Sequence, residues 1–166
     1  MAARWQDDSG KEFSLASLQG KPVVISMFYA SCEGICLMTR DDMKAVEASL
    51  PAAARERTAF VLVTLAPALD SAAVLRQYRA DNGLSEKNWI LLRGSPADTA
   101  DLAARLGIGF GRNSAGLFRH SSEITVLDES GRMTLRQNGV HADLTQTVAA
   151  VVAGARPADW SSPGTF

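Results

Sequence analysis

Apolar residues in this chain fall into short continuous runs separated by stretches of helical spacing. Val23 to Tyr29, directly after the punctuation of Gly20, Lys21 and Pro22, is rich in β-branched and aromatic residues, as a strand covered on both faces requires. Ala30, Ser31, Cys32, Glu33, Gly34, Ile35 and Cys36 come next, and Ser31, Glu33 and Gly34 around the cysteines read as an exposed turn rather than core. Thr39, Met43, Val46 and Leu50 then recur at intervals of four, three and four, the period of a helix with one buried stripe. Pro51 and the alanines behind it are expected to close that helix, and Thr58 to Leu65 is a second strand-length run ending at Ala66 and Pro67.

Asp70 or Ser71 suits the N-cap of a helix through Val74, Leu75 and Tyr78 that stops near Asn82 and Gly83. Trp89 to Leu92 reads as a strand. Ser95 before Pro96 opens a helix whose apolar face holds Leu102 and Leu106 and which ends at Gly107. From Gly107 through Arg119 four glycines and no sustained period predict a loop that delivers His120 to the edge of the next strand. Ile124 to Leu127, Asp128 to Gly131 and Met133 to Arg136 predict a hairpin, and Val140 to Val152 a final helix. Strands alternating with helices and closing on a hairpin and helix predict an α/β fold with a central mixed sheet and helices on both faces, in an order that resembles the thioredoxin-like fold.

Composition narrows the class without naming a function. With 46% hydrophobic and 21% charged residues the chain is expected to form one domain over residues 11–155, flanked by a loose segment 1–10 and a tail 156–166. A core of this size forms without disulfide staples, so the only two cysteines, four positions apart, are not needed for folding. Seventeen basic against eighteen acidic residues, with no basic run interleaved with aromatics, point away from nucleic acid. No run reaches the roughly 18 to 20 apolar residues of a membrane-spanning helix. No leader is visible in this chain, and an anchor outside it stays open.

Cys32 and Cys36 lie between a strand end and a helix start, beside unpaired backbone N–H groups and the positive end of a helix dipole. That setting favours thiolates, which serve equally as soft-metal ligands and as nucleophiles in disulfide exchange. Position alone leaves both chemistries open. Two thiolates with an imidazole suit Cu(I), whereas Zn(II) normally takes a fourth ligand. Of the two histidines, His120 at the loop–strand junction is the better third ligand, and His141 reads as a surface or capping residue at the start of the last helix. Met43 belongs to the helical stripe, Met38 is not expected to touch metal, Trp5, Trp89 and Trp160 read as packing or interface residues, and Asp41 with Asp42 reads as a solvated first-turn face.

Gly20, Lys21, Pro22 and Val23 leading into Met27, Phe28 and Tyr29, then Cys32 to Cys36 with three intervening residues, then His120 and Ser121 before Ile124 to Asp128, together resemble the SCO/SenC family of copper-handling, thioredoxin-fold proteins over about Phe13 to Ala153. The resemblance implies copper, as Cu(I) with Cu(II) the alternative state, held by Cys32, Cys36 and His120. It implies a metallochaperone for the dinuclear copper centre of cytochrome c oxidase, with that enzyme's copper-bearing subunit or another copper or thiol client as partner. It also implies a periplasmic or membrane-anchored setting facing the periplasm. A thiol:disulfide oxidoreductase using the Cys32–Cys36 pair, or a redox or copper sensor, is the alternative duty. The sequence departs from the family at Leu37, where a proline usually follows the second cysteine, and at Ala66, where an aspartate usually precedes Pro67, so a carboxylate near the site is expected to be missing.

Overall fold

The computed structural model describes residues 4–112, 118–141 and 143–155, with the backbone alone for residues 110, 112 and 118–120. Seven strands form one mixed sheet in the order β2-β1-β5-β4-β3-β8-β9: β1 (Trp5–Asp7), β2 (Glu12–Phe13), β3 (Val23–Phe28), β4 (Ala59–Thr64), β5 (Trp89–Arg93), β8 (Glu123–Leu127) and β9 (Met133–Asn138). β6 (Phe110–Arg112) and β7 (Phe118–His120) pair with each other in a separate two-stranded sheet. The helices are α1 (Ile35–Ser49), α2 (Ala52–Arg57), α3 (Ala72–Asp81), α4 (Pro96–Leu106) and α5 (Thr145–Gly154). The fold is α/β and thioredoxin-like.

β3 and β4 are buried along their whole length, and the strand period of two divides their side chains between two cores. Val24, Phe28, Phe60 and Leu62 face Met43 and Val46 of α1, Leu75 and Tyr78 of α3 and Val151 of α5. Val23, Ile25, Met27, Val61 and Val63 face Ala103 and Leu106 of α4. Helices therefore cover both faces, as the alternation of elements predicts. Ser71 accepts the N–H of Val74 as the N-cap of α3, and Ser95 caps α4, which ends on left-handed Gly107 at φ 70°.

Four expectations change. The alanines after Pro51 do not merely end α1: Leu50 turns extended, since the residue before a proline is pushed out of helical geometry, and the alanines then propagate a new short helix, α2. The glycine-rich stretch is not all loop, because β6 and β7 pair Phe110 with His120 and Arg112 with Phe118; residues 113–117 lie outside the described residues. The last helix begins at Thr145 rather than Val140, because His141 takes φ 55°, which a helix does not admit. Within the segment 1–10, Trp5–Asp7 pair with β2 and β5, and Trp5 is 2% exposed. The tail 156–166, with Trp160, lies outside the described residues.

Candidate functional site: a thiol pair at the carboxyl end of the sheet

β3 and β4 run parallel, with Phe28 opposite Thr64, so both open their following loops at the same end of the sheet. The Leu65 N–H still reaches the Phe28 carbonyl at 2.7 Å, and beyond that bond the chains diverge. The loop after β3 carries Cys32 and leads into α1, whose second residue is Cys36. β8 is antiparallel to β3, pairing Ile25 with Thr125. Its N-terminal end therefore comes to the same sheet end, bringing Ser122 and, two residues earlier, His120.

Ser31, Glu33 and Gly34 are exposed, as the polar turn predicts. The thiols turn inward: Cys32 is 7% and Cys36 2% exposed, and no disulfide joins them. Gly34, at the N-cap of α1, has no side chain to satisfy the first N–H groups of the helix. The Cys32 sulfur fills that role, accepting from the N–H of Gly34 and of Cys36, from the Cys36 thiol and from the Tyr29 hydroxyl. A sulfur thus stands where a capping oxygen ordinarily would.

This arrangement makes the pair unequal. Burial pushes the Cys32 thiol up, but those four donors together outweigh it and hold Cys32 below the ordinary thiol range. For Cys36, burial and then donation of its own proton to Cys32 push the thiol well above that range. Burial, donation to Cys32 and the nearby sulfur charge push the Tyr29 phenol up to about 12. Cys32 is the more acidic thiol of the pair, and Cys36 donates to its sulfur.

The expected gap in carboxylates near the site is corrected by Asp70. The chain folds back after β4, with the Leu69 and Asp70 N–H groups both donating to the Ala66 carbonyl at 2.9 Å. Asp70, 3% exposed, then accepts from the Ala30 N–H at 3.0 Å and from the Thr64 hydroxyl. A carboxylate absent before Pro67 is thereby supplied three residues beyond it, bound to the loop that carries Cys32. Leu37 has its own effect on the helix entry: its N–H donates to the Gly34 carbonyl at 3.0 Å, a bond no proline could make.

His120 ends β7, opposite Phe110, and its side chain lies outside the described ones. The backbone just after it is anchored to the cysteine helix. The Ser122 and Thr39 hydroxyls are 2.6 Å apart in the interior, and Thr39 lies three residues after Cys36. The Ser121 N–H donates to the Gly109 carbonyl at 3.0 Å. Among the described residues no three His, Cys, Asp or Glu side chains converge as a ready metal cage. His141 is on the surface, but its N–H donates to Asp42 at 2.8 Å, and Asp42 is 5% exposed, so it is not part of a solvated face. Met43 is fully buried and Met38 is 41% exposed. Tyr29, Asp70, Thr39 and Ser122 are the members of this site that sequence reasoning missed; only Tyr29, beside the cysteines, carried a local signal.

The SCO1/SenC family model matches residues 4–153. The chain belongs to the SCO1/SenC family. A curated relative from Stutzerimonas stutzeri, named provisionally as a copper-binding protein, is 29% identical over 104 residues, a match that spans 63% of this chain and half of that protein. The solved structure of Bradyrhizobium japonicum ScoI with copper bound has the same fold, at 18% identity and a TM-score of 0.75 over 91% of this chain and 96% of that one. So does BsSco, described with a disulfide switch as a member of the Sco family of cytochrome c oxidase assembly proteins, at 22% identity and a TM-score of 0.78 over 92% and 90%. The SCO1/SenC match takes in every residue of the site built above.

Proposed function

We propose that this chain carries Cu(I) as cargo on the Cys32 and Cys36 sulfurs with the His120 imidazole as third ligand, and hands it by ligand exchange to a client protein. The observation that carries the reading is the buried sulfur pair at the entry to α1, with the Cys36 thiol donating to the Cys32 sulfur. Two thiolates and an imidazole form a soft donor set that suits Cu(I), and the topology brings the His120 backbone to the same sheet end. The copper in Bradyrhizobium japonicum ScoI and the name of the Stutzerimonas relative support the same cargo. The description of BsSco as a member of a family of cytochrome c oxidase assembly proteins supports that oxidase as client, and its copper-bearing subunit is the part a Cu(I) cargo would reach. A periplasmic or membrane-anchored setting goes with this reading.

The inequality of the two thiols favours a second duty at the same pair, thiol:disulfide exchange, in which Cys32 attacks and Cys36 resolves. Anaerobic titration of the reduced protein with Cu(I) is expected to give one tightly bound ion, lost in Cys32→Ala and Cys36→Ala. His120→Ala is expected to weaken binding by at least about tenfold, since even losing a group that only orients a metal ligand costs about that much, and to alter the X-ray absorption spectrum of the bound copper. Unchanged affinity and spectrum in His120→Ala would remove it from the ligand set. Copper-independent turnover of a protein disulfide would transfer the main duty to exchange.

A further inference from the structure

Beside Ser31 opens a 370 Å³ cavity lined by Ala30, Leu69, Asp70, Val74 and Asp81 among others, none of them lysine or arginine. Asp70 is a buried carboxylate whose hydrogen bonds among the described residues come from neutral donors, the Ala30 N–H and the Thr64 hydroxyl, and both fall on Oδ2. Among the described residues no ion pair includes it. A carboxylate taken out of water without a cation is costly, and a charge-assisted partner restores much of that loss. Asp81 stands exposed at the same cavity. Leu69 and Val74 are 63% and 39% exposed, two of the four large apolar side chains left in water among the described residues.

We propose that this cavity takes a lysine or arginine side chain of the polypeptide that exchanges with Cys32, its aliphatic stem on Leu69 and Val74 and its charged head at Asp70 and Asp81. Long basic side chains divide in this way, with an apolar stem against hydrocarbon and a charged end on an acceptor. The cavity has two carboxylates and no cation of its own, so charge complementarity selects a basic occupant over an acidic or purely aliphatic one. Ser31 lines the cavity and is followed by Cys32. At about 3.3–3.6 Å per extended residue, the basic residue stands within a few positions of the client's reacting group. The Ala30 N–H that Asp70 holds belongs to the loop of Cys32, so the occupant meets the same carboxylate that positions the nucleophile's loop.

This inference rests on exchange at Cys32, and its test uses no metal, so failure of the copper titration leaves it standing. The reduced full chain is mixed with short peptides bearing one cysteine as the 2-pyridyl disulfide and, two residues away, lysine, norleucine or glutamate. The Cys32 thiolate forms a bond to the peptide sulfur, and pyridine-2-thiolate leaves and takes a proton to give 2-thiopyridone, whose absorbance follows the rate. Each rate is divided by that with 2,2′-dipyridyl disulfide, which removes intrinsic changes at Cys32. The lysine peptide is expected to react about tenfold faster than the norleucine peptide, and the glutamate peptide slowest. Asp70→Asn and Asp81→Asn, the latter away from the Ala30 tie, are each expected to shrink the lysine advantage, and Leu69→Ser to slow lysine and norleucine peptides together. Equal rates for the three peptides overturn the proposal. So does a lysine advantage that survives both carboxylate substitutions, and so does sedimentation showing self-association that Leu69→Ser abolishes, which would assign the cavity to a second copy of this chain.

Discussion

The hydroxyls of Thr39 and Ser122, 83 positions apart in sequence, meet at 2.6 Å in the interior, one on the helix that carries Cys36 and the other two residues after His120. Each hydroxyl also reaches a carbonyl, Thr39 that of Ile35 at 2.9 Å and Ser122 that of Gly139 at 3.5 Å, so either one can donate between them. Removing one partner leaves the other buried and under-satisfied, at a cost of about 1–3 kcal/mol. Ser122→Ala and Thr39→Val are each expected to lower the urea midpoint, and the double variant to lose less than the sum, with a coupling of about 1 kcal/mol. Strict additivity in that cycle would deny the bond any energetic weight.

The unequal thiols make a prediction in pH. Near neutrality iodoacetamide is expected to label Cys32 before Cys36, read by peptide mass spectrometry; equal labelling would contradict the assignment of Cys32 as the more acidic thiol. Cys32 is depressed on folding, so its contribution to stability is fully present above the ordinary thiol value of about 8.5 and fades as the pH falls through its folded value. Cys36 and Tyr29 are raised, so theirs are fully present below their unfolded values and lost as the pH rises toward the folded ones. Melting temperature is therefore expected to fall between about pH 8.5 and 11, less steeply in Cys36→Ala and in Tyr29→Phe. An identical slope in both variants would rule out these two groups as the source.

Leu37→Pro restores the residue usual in the family and removes a bond this chain uses. Proline is sterically admissible in a first helical turn, but the Gly34 carbonyl then loses the Leu37 N–H and Cys36 is pressed away from helical geometry. The expected result is a loss of about 1 kcal/mol together with a changed alkylation rate at Cys32, whose sulfur accepts the Cys36 N–H. A variant with wild-type stability and wild-type Cys32 reactivity would show that the entry to α1 tolerates either residue.

Gly94 follows β5, and a Cβ placed on it would come within 2.6 and 2.8 Å of carbon atoms of the Trp5 ring. The indole is rigid and 2% exposed, so Gly94→Ala displaces β1 rather than a flexible side-chain tip. Overpacking of this kind costs about 1–3 kcal/mol, and Trp fluorescence is expected to shift to longer wavelength as Trp5 is wetted. Trp5→Leu in the same chain should recover part of the loss; no recovery would place the strain elsewhere.

The main strands and helices were legible because their apolar residues repeat at the period of the element. β1 escaped because a three-residue strand offers one large apolar residue, Trp5, and no period. β6 and β7 escaped because glycine, which usually marks a loop, stands inside β6 at Gly111. At the site the cysteines were legible from their spacing, and the exposure of Ser31, Glu33 and Gly34 was foreseen, but not that the sulfurs turn inward beneath them. Asp70 carries only the local signature of a helix cap, because its bond to Ala30 spans 40 positions and depends on the parallel register of β3 and β4. Thr39 falls on the apolar stripe of α1 by its spacing, and its partner Ser122 is a long-range neighbour that no local period reveals.

β3 is hydrogen-bonded on both sides, parallel to β4 and antiparallel to β8, and Cys32 comes four residues after its last residue, Phe28. The loop between is held by the Ala30 bond to Asp70 and the Cys32 N–H bond to the Tyr29 carbonyl. The sulfurs are therefore ordered as part of folding itself, before any ligand arrives. Capture at this pair draws little on further freezing of chain, and its free energy goes into bonds to sulfur.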